Sequence, residues 1–373
     1  MSINPFLITG YHSPTYFCDR ENETETIISA LQNGRNLTLI SPRRMGKTGL
    51  IHHVFQKIKQ DNPDAALFYM DIFSTQNLNE FVHLFASTVF EKIASSPQKA
   101  INRIGKIIKS FRPVLTFDEF SGAPKITVDI NPSSKEASLK EIFTYLQTSN
   151  KQCYIAIDEF QQITAYPEKG VEALLRSHIQ FLSNVNFIFS GSKRHIMLDM
   201  FMSAKRPFFQ STQILSLDAI DREKYGHFAA RFFAAQGKEL SSDTFSIIYD
   251  MFNGHTWYIQ NVLNRLYSYR KKPDDRLINL MIATILAESG TVYENALAAY
   301  TANNIQLLKA VAKEKCVKEI NAGDFIAKYN LKSPSSVNIS LKKLIDKELL
   351  YKTSEGTIVY DRFMAFWLRQ QPF

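Results

Sequence analysis

The sequence predicts an α/β fold: a parallel sheet flanked by helices, followed by an α-helical unit and a winged helix-turn-helix. Three observations predict it. Strands and helices alternate from about residue 37 to 215, only helices follow Leu217, and from about Asn304 three helices lead into a short hairpin. The expected units are residues 1–216, 217–297 and 298–373.

Leu37-Thr-Leu-Ile40 is an apolar run suited to a buried parallel strand, and residues 49–58 continue as a helix bearing Leu50, Ile51, Val54, Phe55 and Ile58. Residues 67–71 read as a strand, 78–93 as an amphipathic helix, 154–157 as a strand, 171–182 as a helix and 186–190 as a strand. Residues 101–135 interrupt the alternation, because Val114-Leu-Thr-Phe and Lys125 to Ile130 flank a Ser121-Gly-Ala-Pro turn in the manner of an inserted β-hairpin. Helices are expected over 222–236, 242–253 and 257–270. In the last unit they are expected over 305–313, 322–329 and 333–347, the third opened by Ser333 as N-cap and Pro334 as first helical residue. Leu350-Tyr-Lys-Thr, a Ser354-Glu-Gly turn and Thr357-Ile-Val-Tyr360 supply the wing.

The 373 residues carry 44 basic and 36 acidic side chains, a net charge of +8 that suits nucleic acid or anionic nucleotides without selecting either. Cys18, Cys153 and Cys316 are far apart, and the eight histidines form no metal-ligand spacing beyond the adjacent His52-His53, which argues against a structural zinc site and for a reduced setting. The start of the chain has no basic stretch leading into an apolar one, and no run approaches 18 apolar residues, so the expectation is a soluble, cytoplasmic protein without membrane contact.

The segment richest in chemistry is Ile40-Ser-Pro-Arg-Arg-Met-Gly-Lys-Thr-Gly-Leu50, placed between a strand and a helix. In a phosphate-binding P-loop of the Walker A kind, backbone N–H groups cradle phosphates, a Lys reaches the β and γ groups, and a hydroxyl ligates Mg²⁺. Gly46, Lys47 and Thr48 fit those roles, with Ser41, Pro42, Arg43, Arg44, Met45 and Gly49 completing the cradle; Ser41 stands where the strict pattern has Gly. Hydrolysis of ATP also needs an acidic residue at the end of a second buried strand and a carboxylate for the attacking water. The string Asp-Glu-Phe occurs twice. Asp158-Glu159 follows the apolar run 154–157, so Asp158 is assigned to Mg²⁺ and Glu159 to the water; Asp118-Glu119 leads straight into a turn and reads as solvated.

Residues 186–190 end in Ser190-Gly-Ser192, where a hydroxyl can sense the γ phosphate or simply terminate the strand. Arg206 offers a cation for the transferred phosphoryl group, in competition with Arg194 and with a surface ion pair for either. His255, at a helix break after Gly254, reads either as a phosphate contact or as a core histidine.

Taken together, Asn4-Pro-Phe6, residues 16–21, 41–48, 157–160, Ser190-Gly-Ser192, Gly254-His255, and the ending Tyr360-Asp-Arg-Phe363 with Phe366-Trp-Leu-Arg369 resemble the predicted archaeal-type ATPase family, in the STAND branch of AAA+-like P-loop NTPases. The resemblance implies an ATPase core, a helical lid and a winged helix closing over nucleotide, with Phe17 to Arg20 near the base and His255 in the lid's sensing position. Thr256 departs from the Pro that often follows Gly-His in such proteins. The function expected is an ATP-hydrolysing, Mg²⁺-dependent molecular switch that binds ATP and ADP, with a nucleotide-dependent homo-oligomer as a further expectation. One alternative is a DNA-binding regulator in which Ser335, Ser336, Asn338, Lys342 and Lys343 enter a major groove and Lys352 reaches a phosphate, set against a winged unit that clamps its own core or meets a protein partner. The other is an interaction scaffold without turnover.

Overall fold

A computed structural model describes residues 4–93, 111–117, 124–130, 135–149, 151–269 and 272–372. The central sheet forms from runs too apolar to face water on either side. Leu37–Ile40 (β1), Cys153–Asp158 (β5) and Val185–Gly191 (β6) are buried at every residue, as parallel strands covered on both faces must be. Ala66–Asp71 (β2) and Gln213–Ser216 (β7) complete a five-stranded parallel sheet in the order β2-β5-β6-β1-β7.

Strand alternation sends successive side chains to opposite faces. Leu37, Leu39, Leu67, Tyr69, Tyr154, Ala156 and Ile188 face the layer of helices Glu21–Gln32 (α1) and Lys47–Asp61 (α2). Phe68, Met70, Ile155, Ile157, Phe187 and Phe189 face the other layer, built from Leu78–Ile93 (α3), Lys135–Thr148 (α4), Val171–Ile179 (α5) and Arg194–Met202 (α6). Phe160, Phe189, Phe201 and Phe208 meet there as a core cluster with centroids 4.5 to 6.0 Å apart. The inserted hairpin is an antiparallel pair, Phe111–Phe117 (β3) with Pro124–Ile130 (β4). Asp118 and Glu119 lie outside the described residues. Helix α5 ends three residues before the expected Leu182, where Phe181 and Leu182 turn back to bond the carbonyls of His178 and Ile179.

The chain divides into two compact units, Thr9–Lys224 and a second made of Met1–Ile8 with Tyr225–Phe373. The second contains most of Arg222–Ala234 (α7), then Ser242–Met251 (α8), Thr256–Ser268 (α9) and Asp275–Leu297 (α10). Ala302–Glu314 (α11), Gly323–Lys328 (α12), Pro334–Asp346 (α13), Leu350–Lys352 (β8), Thr357–Val359 (β9) and Arg362–Gln370 (α14) follow. Ser333 caps α13 as its sequence signature predicts, accepting from the Ser336 N–H, and β8 and β9 pair antiparallel as the wing. The terminal segment 4–8 is tied in by reciprocal amides: Asn4 Nδ2 donates to the Asn264 carbonyl at 2.9 Å and Asn264 Nδ2 to the Phe6 carbonyl at 2.7 Å. Phe6, fully buried, packs among Phe232, Phe233 and Tyr267.

Candidate nucleotide site at the carboxyl edge of the sheet

β1 delivers the chain into a loop that reverses at two left-handed residues, Arg44 at φ 66° and Gly46 at φ 94°. Gly46 N-caps α2 without a side chain, and a Cβ added there would meet nothing within 4 Å, so the mouth of the loop is open where a bound group would sit. The 15-residue helix begins at that opening, and its first N–H groups and positive dipole end favour an anion. Ser41 is buried and bonded at both ends of its residue: its N–H donates to the Gly191 carbonyl at 3.3 Å, and its Oγ donates to the Pro42 carbonyl at 3.0 Å. Met45 is buried beneath the loop, and the Arg43 guanidinium lies 4.9 Å from the centroid of Phe73. Arg44 and Thr48 are exposed, while Gly49 faces Phe17, whose ring edge would lie 3.6 Å from a Cβ at that glycine.

Lys47 is buried and folded into the loop, donating to the carbonyls of Ser41 at 3.1 Å and Pro42 at 3.3 Å. Burial holds its ammonium below the usual lysine range, against the opposing pull of Asp158 and Glu159. Its present carbonyl partners occupy donors that a phosphate would otherwise take.

β5 brings the carboxylates to the same edge. Thr48 Oγ1 donates to Asp158 Oδ2 at 2.9 Å, joining residues 110 apart in sequence. Tyr69 Oη donates to that same oxygen at 2.8 Å, and the Glu159 N–H donates to Asp158 Oδ1 at 3.0 Å. The Tyr69 phenol is pushed well above the usual range, first by burial and then by the Asp158 charge, so it stays protonated and can donate to Asp158. Asp71 pairs in register with Asp158, and its carboxyl is raised chiefly by burial and further by Asp158 and Glu159. Thr48 and Asp158 together present a hydroxyl and a carboxylate oxygen, the hard donors that Mg²⁺ takes alongside phosphate and water. The pair fits that ion.

Glu159 adopts a left-handed conformation at φ 55°, which swings its side chain to the end of β6. There its Oε2 accepts from Ser192 Oγ at 2.7 Å and from Gln161 Nε2. Ser190, one strand over from the loop, is fully buried with an Oγ that lacks a hydrogen-bond partner. Of the two serines, Ser192 is therefore the one that touches the catalytic candidate.

Other expected site residues have different company. Arg20, buried and left-handed at φ 74°, forms an ion pair with Glu23 at 2.6 Å and donates to the Asp218 carbonyl at 2.5 Å. Arg206 pairs with Glu172 at 2.8 Å and Asp199 at 3.3 Å, and its charge meets neither Asp158 nor Glu159. Phe17 stacks on His53 at 4.3 Å and meets Tyr11 edge-on at 5.8 Å. His255 belongs to the second unit, where it N-caps α9 and packs edge-on against Tyr258. On α13, Ser335, Asn338, Lys342 and Lys343 are exposed, and Ser336 is half-buried. Lys352, on β8, is exposed as well. Ile339, 73% exposed, shares the face of Ser335, Asn338 and Lys342. Gln161 and Tyr69 join the site without a motif to mark them; Tyr69 lies two residues before Asp71 on the same face of β2, where a tyrosine reads as ordinary core.

No helix among the described residues is long and apolar enough to cross a membrane, and no cluster of three or more His, Cys, Asp or Glu among them could hold a metal unaided. Residues 17–262 match the family model of an ATPase domain predominantly from Archaea, and residues 291–370 that of a probable winged helix domain. Among solved structures, the chain is similar to a Walker-type ATPase of Pyrococcus abyssi, with 17% identity, a TM-score of 0.68, and coverage of 98% of this chain and 99% of that one. It is also similar to the ORC2 protein of Aeropyrum pernix in its ADPNP–ADP complexes, with 16% identity, a TM-score of 0.56, and coverage of 98% and 95%. At such identities the likeness is one of fold. No curated protein sequence matches.

Proposed function

Because the chain belongs to the family of ATPase domains predominantly from Archaea, we propose that it binds ATP and hydrolyses it in a Mg²⁺-dependent reaction, using the nucleotide state as a switch. The observation that carries the reading is the 2.9 Å contact between Thr48 Oγ1 and Asp158 Oδ2, which places the hydroxyl of the loop against the carboxylate of a separate buried strand.

In this reading the amides at the start of α2 and the Lys47 ammonium hold the β and γ phosphates, and Lys47 exchanges the carbonyls of Ser41 and Pro42 for phosphate oxygens. Thr48 and Asp158 would hold Mg²⁺, which when bound neutralises charge on the β and γ oxygens. Glu159 orients the attacking water and accepts its proton, with Ser192 and Gln161 setting the direction of its carboxylate. Phe17, beside Gly49, forms one wall near the base, and Arg206 serves phosphoryl charge only after leaving Glu172 and Asp199.

The test is phosphate release by the full chain. Wild type turns over ATP with Mg²⁺, whereas Glu159→Gln keeps nucleotide binding and loses roughly 10²- to 10⁴-fold in turnover, the range for a general base. Unchanged turnover in that variant removes the mechanism. The switch is tested on the same preparation by solution mass with ADP and with a non-hydrolysable ATP analogue; identical mass and identical hydrogen exchange in the two states would sink it.

A further inference from the structure

We propose that Tyr69 is the positioning residue for the cation-binding carboxylate of Asp158, which rests on the reading of Thr48 and Asp158 as the Mg²⁺ ligands. Strand register sets the geometry. Asp158 sits directly beside Asp71, and Tyr69 lies two residues earlier on the same face of β2, so only a long side chain spans the gap along the strand. The phenol does so, placing its Oη 2.8 Å from Asp158 Oδ2.

The carboxylate has three donors: Tyr69 Oη and Thr48 Oγ1 on Oδ2, and the Glu159 N–H on Oδ1. They are not equivalent. Thr48 is exposed, and its hydroxyl can rotate to offer a lone pair to a cation. Tyr69 is half-buried with its ring 4.7 Å from that of His52, and His52 stands one helical turn beyond Thr48 on α2. The helix that supplies the ligand hydroxyl thus also walls in the phenol. Once Thr48 turns, Tyr69 and the Glu159 N–H still set the plane of Asp158. A phenol suits the position because it donates without adding charge beside Asp71 and Asp158, where a further acidic group would repel both. Partners of this kind, one step behind a metal ligand, typically change metal affinity 10- to 100-fold when removed.

The experiment compares wild type with Tyr69→Phe, which keeps the ring against His52. A fluorescent ADP analogue is titrated in EDTA and in rising Mg²⁺, and Mn²⁺ binding to the ADP complex is followed by electron paramagnetic resonance. The expected result is equal ADP affinity in EDTA and an approximately tenfold higher Mg²⁺ or Mn²⁺ requirement in the variant. His52→Ala, which keeps the phenol but removes its wall, should raise the requirement by a smaller factor. An unchanged cation requirement in Tyr69→Phe overturns the proposal, and so does an equal loss of ADP affinity with and without cation, since Tyr69 would then support the phosphate cradle. If wild type itself shows no cation dependence, the ligand assignment of Thr48 and Asp158 falls first.

Discussion

Lys47, proposed above as a phosphate ligand, shows at the scale of one residue how a buried charge burdens the fold. Its ammonium is buried and donates to the Ser41 and Pro42 carbonyls, and burial holds its pKa down against the pull of Asp158 and Glu159. Between that depressed value and the ordinary lysine value, the unfolded chain holds a proton that the folded chain has released, so stability from this group rises with pH across the window. Lys47→Met should remove that alkaline rise and stabilise the ligand-free protein by about 0.5 to 2 kcal/mol, as replacement of strained functional groups commonly does. Urea unfolding at neutral and alkaline pH checks both parts, and loss of the thermal shift caused by Mg²⁺ and ADP checks that the ammonium serves the ligand. A less stable Lys47→Met would mean that the ammonium supports the loop in the absence of ligand. The lysine itself was legible in the sequence because Gly-Lys-Thr follows an apolar run. Tyr69 was not, since a tyrosine inside a strand is ordinary core until a register places it beside a carboxylate.

At the scale of the element, β6 links the two halves of the site. It lies between β5 and β1, ends in Gly191, and passes Glu159's partner Ser192 into the following turn. A Cβ at Gly191 would come within 2.4 Å of Gln161 Oε1 and 2.5 Å of Met197 Sδ. Gly191→Ala should therefore cost about 1 to 3 kcal/mol, the range for overpacking, and displace the amide that donates to Glu159. Chemical denaturation measures the cost, and turnover falling more than nucleotide affinity marks the displacement; a neutral substitution would show that Met197 and Gln161 simply move aside. The strands β1, β5 and β6 could be read from sequence because burial on both faces demands mostly apolar runs, here interrupted only by Thr38, Asn186 and Ser190 and by Asp158 at the end of β5. β7 is only four half-buried residues at the sheet edge, too short and too polar to announce itself, and α1 begins at a left-handed arginine instead of a side-chain cap. Likewise, nothing in Ser190-Gly-Ser192 distinguishes the two hydroxyls until the left-handed turn of Glu159 selects Ser192.

At the scale of the whole molecule, the chain enters the second unit at residues 1–8, leaves it for the nucleotide-site unit at Thr9, and returns at Tyr225. Phe6 is the anchor of the first passage, fully buried among three rings. Phe6→Ala should cost about 3 to 5 kcal/mol in the second unit, as truncation of a buried aromatic does. Hydrogen exchange should quicken in α7 and α9 while β1, β5 and β6 keep their protection. Equal loosening of the sheet would instead make the two units one cooperative block.

That N-terminal passage also sets an order of events at birth. The Phe6 carbonyl waits for Asn264, 258 residues later in synthesis, which at ribosomal speed is on the order of 10 to 50 s. In that interval all of Thr9–Lys224 is made, so its parallel sheet can assemble before segment 4–8 meets Asn264. Until Phe232, Phe233 and Tyr267 are made, Phe6 lacks them as partners and is a ready target for a chaperone that holds exposed apolar segments.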